Sequence, residues 1–124
     1  MNRNPVAWFE IYVQDIDRAK RFYESVFEVE LQKINAPFPE IELWGFPADR
    51  EGYGASGAIV KMEGFSSGSN ATIVYFQCDD CAVEESRVTS SGGQIHQSKM
   101  PIGEYGYISL VLDTEGNMIG LHSM

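Results

Sequence analysis

The sequence predicts an α+β protein made of two βαβββ modules in tandem, and three observations carry that prediction. Val13-Gln-Asp-Ile-Asp-Arg-Ala-Lys-Arg-Phe-Tyr23 lays over Cys78-Asp-Asp-Cys-Ala-Val-Glu-Glu-Ser-Arg-Val88 at a constant offset of 65 residues. Each copy follows a run that alternates with period two, and each opens a helix on an aspartate. The offset is about half of the 124-residue chain, so the repeat is a structural module and not a short motif. The modules are expected over about 5–64 and 70–124 of a single domain spanning 1–124, joined near Phe65-Ser-Ser-Gly-Ser-Asn70.

Each element has a local reason. Ala7–Val13 alternates Ala7, Phe9, Ile11 and Val13 with Trp8, Glu10 and Tyr12, the pattern of a strand with two different faces. Asp15 or Asp17 caps the helix that follows, because a carboxylate accepts amide hydrogens left unpaired at a helix start. Ile16, Ala19, Phe22, Tyr23, Val26 and Phe27 recur along it at helical spacing. Leu31–Ile34, Glu40–Phe46 and Gly57–Met62 read as strands, separated by Pro37, Pro39, Pro47 and a glycine-rich turn. The second set reads as strand Thr72–Cys78, a helix from about Cys81 to Ser91 stopped at Gly92-Gly93, and strands Gln94–Gln97, Tyr107–Leu112 and Met118–Ser123. Asp113-Thr-Glu-Gly-Asn117 is a tight turn between the last two.

Composition narrows the function classes. A net charge of −9 and 44% hydrophobic residues fit a globular domain and argue against nucleic-acid or anionic-membrane partners, which demand clustered Lys and Arg. The local cluster Arg18, Lys20 and Arg21 reads as a solvated helix face. No run approaches the roughly 18 apolar residues that cross a bilayer, and Met1-Asn-Arg-Asn-Pro5 is too polar for a secretion signal, so a cytoplasmic protein is expected.

Strand polarity predicts two different sheet faces. Thr72, Val74, Phe76, Cys78, Ile108, Leu110, Leu112, Ile119 and Leu121 are expected beneath the helices. The opposite faces are expected to carry Trp8, Glu10, Tyr12, Glu42, Trp44, Ile73, Tyr75, Gln77, Tyr107, Gly120 and His122. Large aromatics with a few carboxylates and one imidazole suit a concave small-molecule pocket. A subunit interface, where Trp and Tyr are also enriched, fits the same composition.

Phe9-Glu-Ile-Tyr-Val13 followed by Asp15-Ile-Asp-Arg-Ala-Lys-Arg-Phe-Tyr-Glu-Ser-Val-Phe27 resembles the first module of the vicinal oxygen chelate superfamily, which includes glyoxalase I, bleomycin-resistance proteins and extradiol dioxygenases. The second copy ending in Ser91-Gly-Gly93, and Leu112-Asp-Thr-Glu-Gly-Asn-Met-Ile-Gly-Leu121, resemble its second module, and the subgroup most similar is the small bacterial proteins related to lactoylglutathione lyase. The resemblance implies a curved, mostly antiparallel sheet around a cup with helices on the outside. It also implies a divalent metal held by one residue from each of four strands, polarising vicinal oxygens of a substrate. Carried onto this chain, those four places fall at Trp8, around Ala58 to Val60, at Ile73 and at Gly120, none of which offers a suitable donor. No metal and no other cofactor is therefore expected. A displaced site from Glu10, Gln77 and His122 is conceivable, because residues two apart on a strand share a face about 7 Å apart. His96 reads as an ordinary, partly exposed residue.

Other chemistries leave weaker traces. Cys78-Asp-Asp-Cys81 has the spacing of a redox or zinc motif. Under the repeat, however, both cysteines replace apolar packing positions, and the intervening aspartates oppose thiolate formation. Gly52-Tyr-Gly-Ala-Ser-Gly57 lacks the Lys-Ser/Thr pair of a phosphate loop, and no nucleophile-elbow serine is present. Lys99-Met-Pro-Ile-Gly-Glu-Tyr-Gly106 reads as a mobile loop or a plain connector.

Three functions stay open. The first is metal-independent binding of a small hydrophobic or aromatic molecule, with Trp8, Glu10, Tyr12, Glu42, Trp44, Tyr75, Gln77, Tyr107 and His122 as the ligand-binding set. The second is a lyase, isomerase or dioxygenase-like enzyme, either metal-free with Glu10 as general base or with a relocated metal. The third is a non-catalytic assembly module. A symmetric homodimer is expected, the commonest oligomer of soluble proteins.

Overall fold

The structure is a computed structural model and describes residues 3–68 and 71–124, so Met1, Asn2 and the end of the expected join, Ser69 and Asn70, lie outside the described residues. The observed order is β1 (Val6–Tyr12), α1 (Ile16–Phe27), β2 (Gln32–Ile34), β3 (Ile41–Gly45), β4 (Ser56–Met62), then β5 (Thr72–Gln77), α2 (Cys81–Glu85), β6 (Gln94–Pro101), β7 (Tyr107–Leu112) and β8 (Met118–Ser123). This is βαβββ twice, an α+β chain. It divides into two compact units, Trp8–Thr72 and the N-terminal stretch through Ala7 with Ile73–Met124.

The first unit orders its strands β2-β3-β4-β1, with β1 and β4 parallel and the other neighbours antiparallel. α1 starts where predicted: Asp15 is the N-cap and its carboxylate accepts from the Arg18 amide at 3.0 Å. That bond holds the Asp15 carboxyl below the usual carboxylate range. The helix lays Ile16, Ala19 and Tyr23 onto Ile11, Val13, Ile59 and Leu31, which form the core of this unit. It ends unusually. Glu28 takes the left-handed conformation at φ 52°, a place glycine normally fills.

The second unit repeats the plan as β5-β8-β7-β6, with β5 and β8 parallel. Its core is Cys78, Cys81, Val111 and Leu121, with Phe76, Val88 and Ile119 against them. Two expectations need correction here. The helix expected over Cys81–Ser91 stops at Glu85 and resumes only as a single 3₁₀ turn at Thr89–Ser91 before Gly92. Ser86 and Ser90 donate their hydroxyls back to the carbonyls of Val83 and Arg87, which competes with continuing the helix. The strand expected over Gln94–Gln97 runs on to Pro101 with register shifts near Gln97 and Met100. Lys99–Pro101 is thus strand and not loop, and Gly103–Tyr105 is one tight turn.

Candidate functional site

Residues directly opposite in a ladder share a sheet face, so the register assigns every expected site residue to one side. In the first unit Trp8 pairs Ser56, Glu10 pairs Ala58 and Tyr12 pairs Val60. Leu43 also pairs Val60, and Gly45 pairs Ala58. The face turned away from α1 therefore carries Trp8, Glu10 and Tyr12 above Ala58, Val60 and Leu43.

On that face Glu10 is held by both neighbours. The Trp8 indole N–H donates to its Oε2 at 3.3 Å, and the Tyr12 hydroxyl donates to Oε1 at 2.8 Å. Burial, reinforced by the negative charge of Glu10, raises the Tyr12 phenol above its ordinary value, so it remains a donor at any physiological pH. Tyr12 further stacks on Phe65, with ring centroids 5.0 Å apart. The result is a fixed indole and a fixed phenol on either side of one anion.

Glu42 and Trp44 are on the other side. Trp44 pairs Ile59 and Glu42 pairs Lys61, which places both on the α1 face, contrary to the sequence reading. Trp44 packs into the core around Ile16 and Ile59, with Lys20 Nζ 5.0 Å from its ring centroid and its own N–H donated to Glu42 Oε2 at 3.0 Å. Glu42 also borders an open groove of about 760 Å³ with Gln14, Ile41, Lys61, Met62 and Phe65.

In the second unit Tyr75 pairs Gly120, which pairs Leu110, and Gln77 pairs His122, which pairs Ile108. Tyr75, Gln77 and His122 therefore share the face away from α2. Ile108, Leu110 and Leu112, expected beneath the helix, lie on this face as well, and Tyr107 lies on the helix side opposite Ser123. The Ser123 hydroxyl accepts from the Cys81 amide at the start of α2, and Lys99 Nζ sits 4.6 Å from the Tyr107 ring centroid while bonding the α2 cap Asp80 at 2.9 Å. The signal that misled is Ser109, fully buried, its hydroxyl donated to the Gln97 carbonyl.

His122 Nε2 lies 2.6 Å from the Tyr105 carbonyl oxygen. A carbonyl only accepts, so Nε2 carries the proton and Nδ1 is left as an acceptor in the neutral ring. Tyr75 is buried, and its ring lies over Gly120: a Cβ built there would meet Tyr75 ring carbons at 2.2, 2.3 and 2.8 Å. Glycine at 120 is thus a packing requirement. Sequence reasoning noticed the missing side chain but not the ring that excludes it.

The two ladders are in equivalent register. The 65-residue offset taking Glu10 to Tyr75 accompanies a 62-residue offset taking Ala58 to Gly120. Ala58 is fully buried, as is Cys81. Among the described residues, no group of three or more His, Cys, Asp or Glu side chains is placed to hold a metal ion. Cys78 and Cys81 are buried free thiols, and burial pushes Cys78 up to about 11, helped by the nearby Glu84 and Cys81.

With this geometry in hand, comparison with known proteins decides the family. A sequence profile of the Glyoxalase/Bleomycin resistance protein/Dioxygenase superfamily matches residues 6–121. The chain belongs to this superfamily. No curated protein matches it. Among solved structures it is similar to a methylmalonyl-CoA epimerase variant from Streptomyces coelicolor in complex with 2-nitronate-propionyl-CoA, at TM-score 0.70 and 13% identity, covering 97% of this chain and 96% of that one. Methylmalonyl-CoA epimerase from Mycobacterium tuberculosis gives 0.66 and 15%, with 94% and 85% covered. A variant of 4-hydroxymandelate synthase from Streptomyces coelicolor gives 0.69 and 14%, covering 99% of this chain but 39% of that one. At such identities the likeness speaks for the superfamily fold alone. Among the described residues no helix is long and apolar enough to cross a membrane.

Proposed function

We propose that this superfamily member binds a small hydrophobic or aromatic molecule without a metal, on the sheet face formed by Trp8, Glu10 and Tyr12. The observation that carries the reading is the Tyr75 ring packed over Gly120. In the family's plan, position 120 would present a metal donor. Here no side chain fits unless the ring moves. The other three places, Trp8, Ala58 by register and Ile73, hold an indole, a methyl group and a buried alkyl chain. This donor set does not suit a divalent ion, whose ligands are imidazole, carboxylate, thiolate or other oxygen groups.

What remains on the first-unit face suits a guest that stacks. The Trp8 indole is fixed in advance by Glu10, so binding need not order it, which favours affinity, while Tyr12, buried against Phe65, braces the carboxylate. The carboxylate adds negative potential, and a guest with a cationic or N–H donor end fits it better than an anionic one. A net charge of −9 likewise disfavours a phosphate-bearing thioester such as the ligands of the epimerases. The enzyme reading, with Glu10 as general base, is weakened because both carboxylate oxygens already accept from Trp8 and Tyr12.

The test uses the two tryptophans. A Trp44→Phe variant leaves Trp8 as the single reporter. A library of amphipathic aromatic amines should contain compounds that quench Trp8 saturably, with weaker binding in Glu10→Gln. Parallel melting scans with nickel, zinc, manganese and iron should show no rise, since a ligand specific for the folded state must raise its stability. Metal-dependent turnover of a hemithioacetal, or one equivalent of metal retained through purification, overturns the proposal.

A further inference from the structure

The connection between β3 and β4 is longer than the two strands need. Antiparallel neighbours are usually joined by about two to five residues, and here residues 46–55 intervene. Its base and its first turn are fixed. The Ser56 hydroxyl lies 3.0 Å from the Pro47 carbonyl oxygen and 3.3 Å from that of Phe46. The Asp49 carboxylate accepts from the Glu51 amide, and the Asp49 carbonyl accepts from the Gly52 amide. Beyond that turn stands Tyr53, 100% exposed, between Gly52 and Gly54. Gly54 takes φ 89° with open space where a side chain would be, so the backbone beside Tyr53 turns without steric restraint. A tyrosine offers a large, rigid contact surface with only two side-chain rotations to fix.

The register sets this tip beside the ligand face. Ser56 is the rung opposite Trp8 in the parallel ladder, so the loop leaves the sheet at the Trp8 end, one strand away. Ser56 shares the Trp8 side of the sheet, and its bonds to Phe46 and Pro47 draw the base of the loop towards that side. Tyr53 lies three residues before Ser56, a length of chain that spans at most about 11 Å, while neighbouring strands lie about 5 Å apart. The ring can therefore reach over Trp8 with no change in the sheet. We infer that Tyr53 is the lid of the Trp8 site, folding over a bound guest so that the guest is held between indole and phenol. The inference rests on the reading that a stacking guest binds at Trp8, and it adds the group that closes the site and slows release. Gly52 and Gly54 act as the hinge while Ser56 keeps the base pinned. Without a guest, closure would order the tip in exchange for one ring contact; with a guest, both faces of the guest are covered. The loop carries Asp49 and Glu51 against Arg50, so closure sets no net positive charge over the guest's cationic end.

Stopped-flow quenching of Trp8 in the Trp44→Phe chain, with the aromatic amines that bind it, tests the lid. Tyr53→Ala should raise the dissociation rate about tenfold and leave the association rate within about twofold of the parent. Tyr53→Phe, which keeps the ring, should match the parent in both rates. Melting temperatures of both variants should equal that of the parent, because the side chain is fully exposed. A Tyr53→Ala chain that releases the amines no faster, while Glu10→Gln still weakens them, overturns the lid and leaves the Trp8 site standing. An equal loss in Tyr53→Phe also overturns it, since the hydroxyl and not the ring would then carry the effect. If no amine quenches Trp8 saturably, the site and its lid fall together.

Discussion

Replacing Gly120 with alanine isolates its packing against the Tyr75 ring. Glycine to alanine in an ordinary strand stabilises by about 0.4–1 kcal/mol, because the unfolded chain loses freedom. Gly120 lies in extended backbone, where alanine is acceptable, so any penalty must come from the new methyl group. That methyl would sit 2.2–2.8 Å from three carbons of the Tyr75 ring. Contact between carbons needs about 3.5 Å or more, and the ring is buried with little room to turn aside. Overpacking of this kind costs about 1–3 kcal/mol, so the sign reverses relative to an open strand.

The assay is urea unfolding followed by tryptophan fluorescence and circular dichroism, alongside a thermal scan. Gly120→Ala should be destabilised by about 1–3 kcal/mol, which for a chain this size lowers the melting temperature by about 3–12 °C. Tyr75→Leu supplies the second arm of a cycle. With the ring gone, alanine at 120 should cost less than in wild type by about 1 kcal/mol or more, a coupling typical of residues in contact. A neutral or stabilising Gly120→Ala, or strictly additive penalties, would falsify the packing argument and with it the account of why position 120 carries no side chain.

Three further outcomes are expected. Tyr12→Phe strips a donor from Glu10 at a buried site and should destabilise by about 1–2 kcal/mol, checked by denaturant titration, while Tyr53→Phe on the fully exposed loop changes nothing. Asp113 is held below its ordinary 3.8 by bonds from the Asn117 side chain, the Asn117 amide and the Glu115 amide. A lowered carboxylate stabilises above its unfolded value and loses that effect as pH falls through the folded one, so Asp113→Ala should be weaker than wild type at pH 6 and converge with it towards pH 2. Cys78 and Cys81 should resist iodoacetamide at pH 7.5 in the native protein and react fully in urea, read by mass spectrometry; rapid native labelling of Cys78 would contradict its environment.

The repeat, the caps and the succession of elements within each module were legible because they rest on local chemistry: Asp15 and Asp80 both cap as their positions in the repeat imply. Face assignment was legible only where a strand buries one side. β1 qualified in part: Ile11 and Val13 pack into the core beneath α1, and Glu10 lies on the other face as expected, where Tyr12 is nevertheless buried. β4 did not, since Gly57, Ala58, Ile59 and Val60 are all buried and alternation carries no information there. β3 follows the register of β4, so Glu42 and Trp44 were set on the wrong side. Their polarity is satisfied locally, carboxylate to indole, and that lets them sit beneath a helix. β7 failed because a buried serine looks like a surface residue until its acceptor, the Gln97 carbonyl, is known. Helix length in the second module failed because hydroxyl competition for carbonyls depends on rotamers that no spacing rule contains.

The equivalent register of the two parallel ladders sets a small residue of the last strand opposite a larger one on the first strand in each unit: Ala58 faces Glu10, and Gly120 faces Tyr75. At Gly120 the Tyr75 ring occupies the space that a side chain would take. A carboxylate introduced at 120 alone therefore meets Tyr75 before it meets a metal, and would be expressed as lost stability. Only a paired change that shrinks residue 75 and enlarges residue 120 respects the packing. The glycine and the tyrosine act as a single unit of structure, so a change at one position has to be read together with a change at the other.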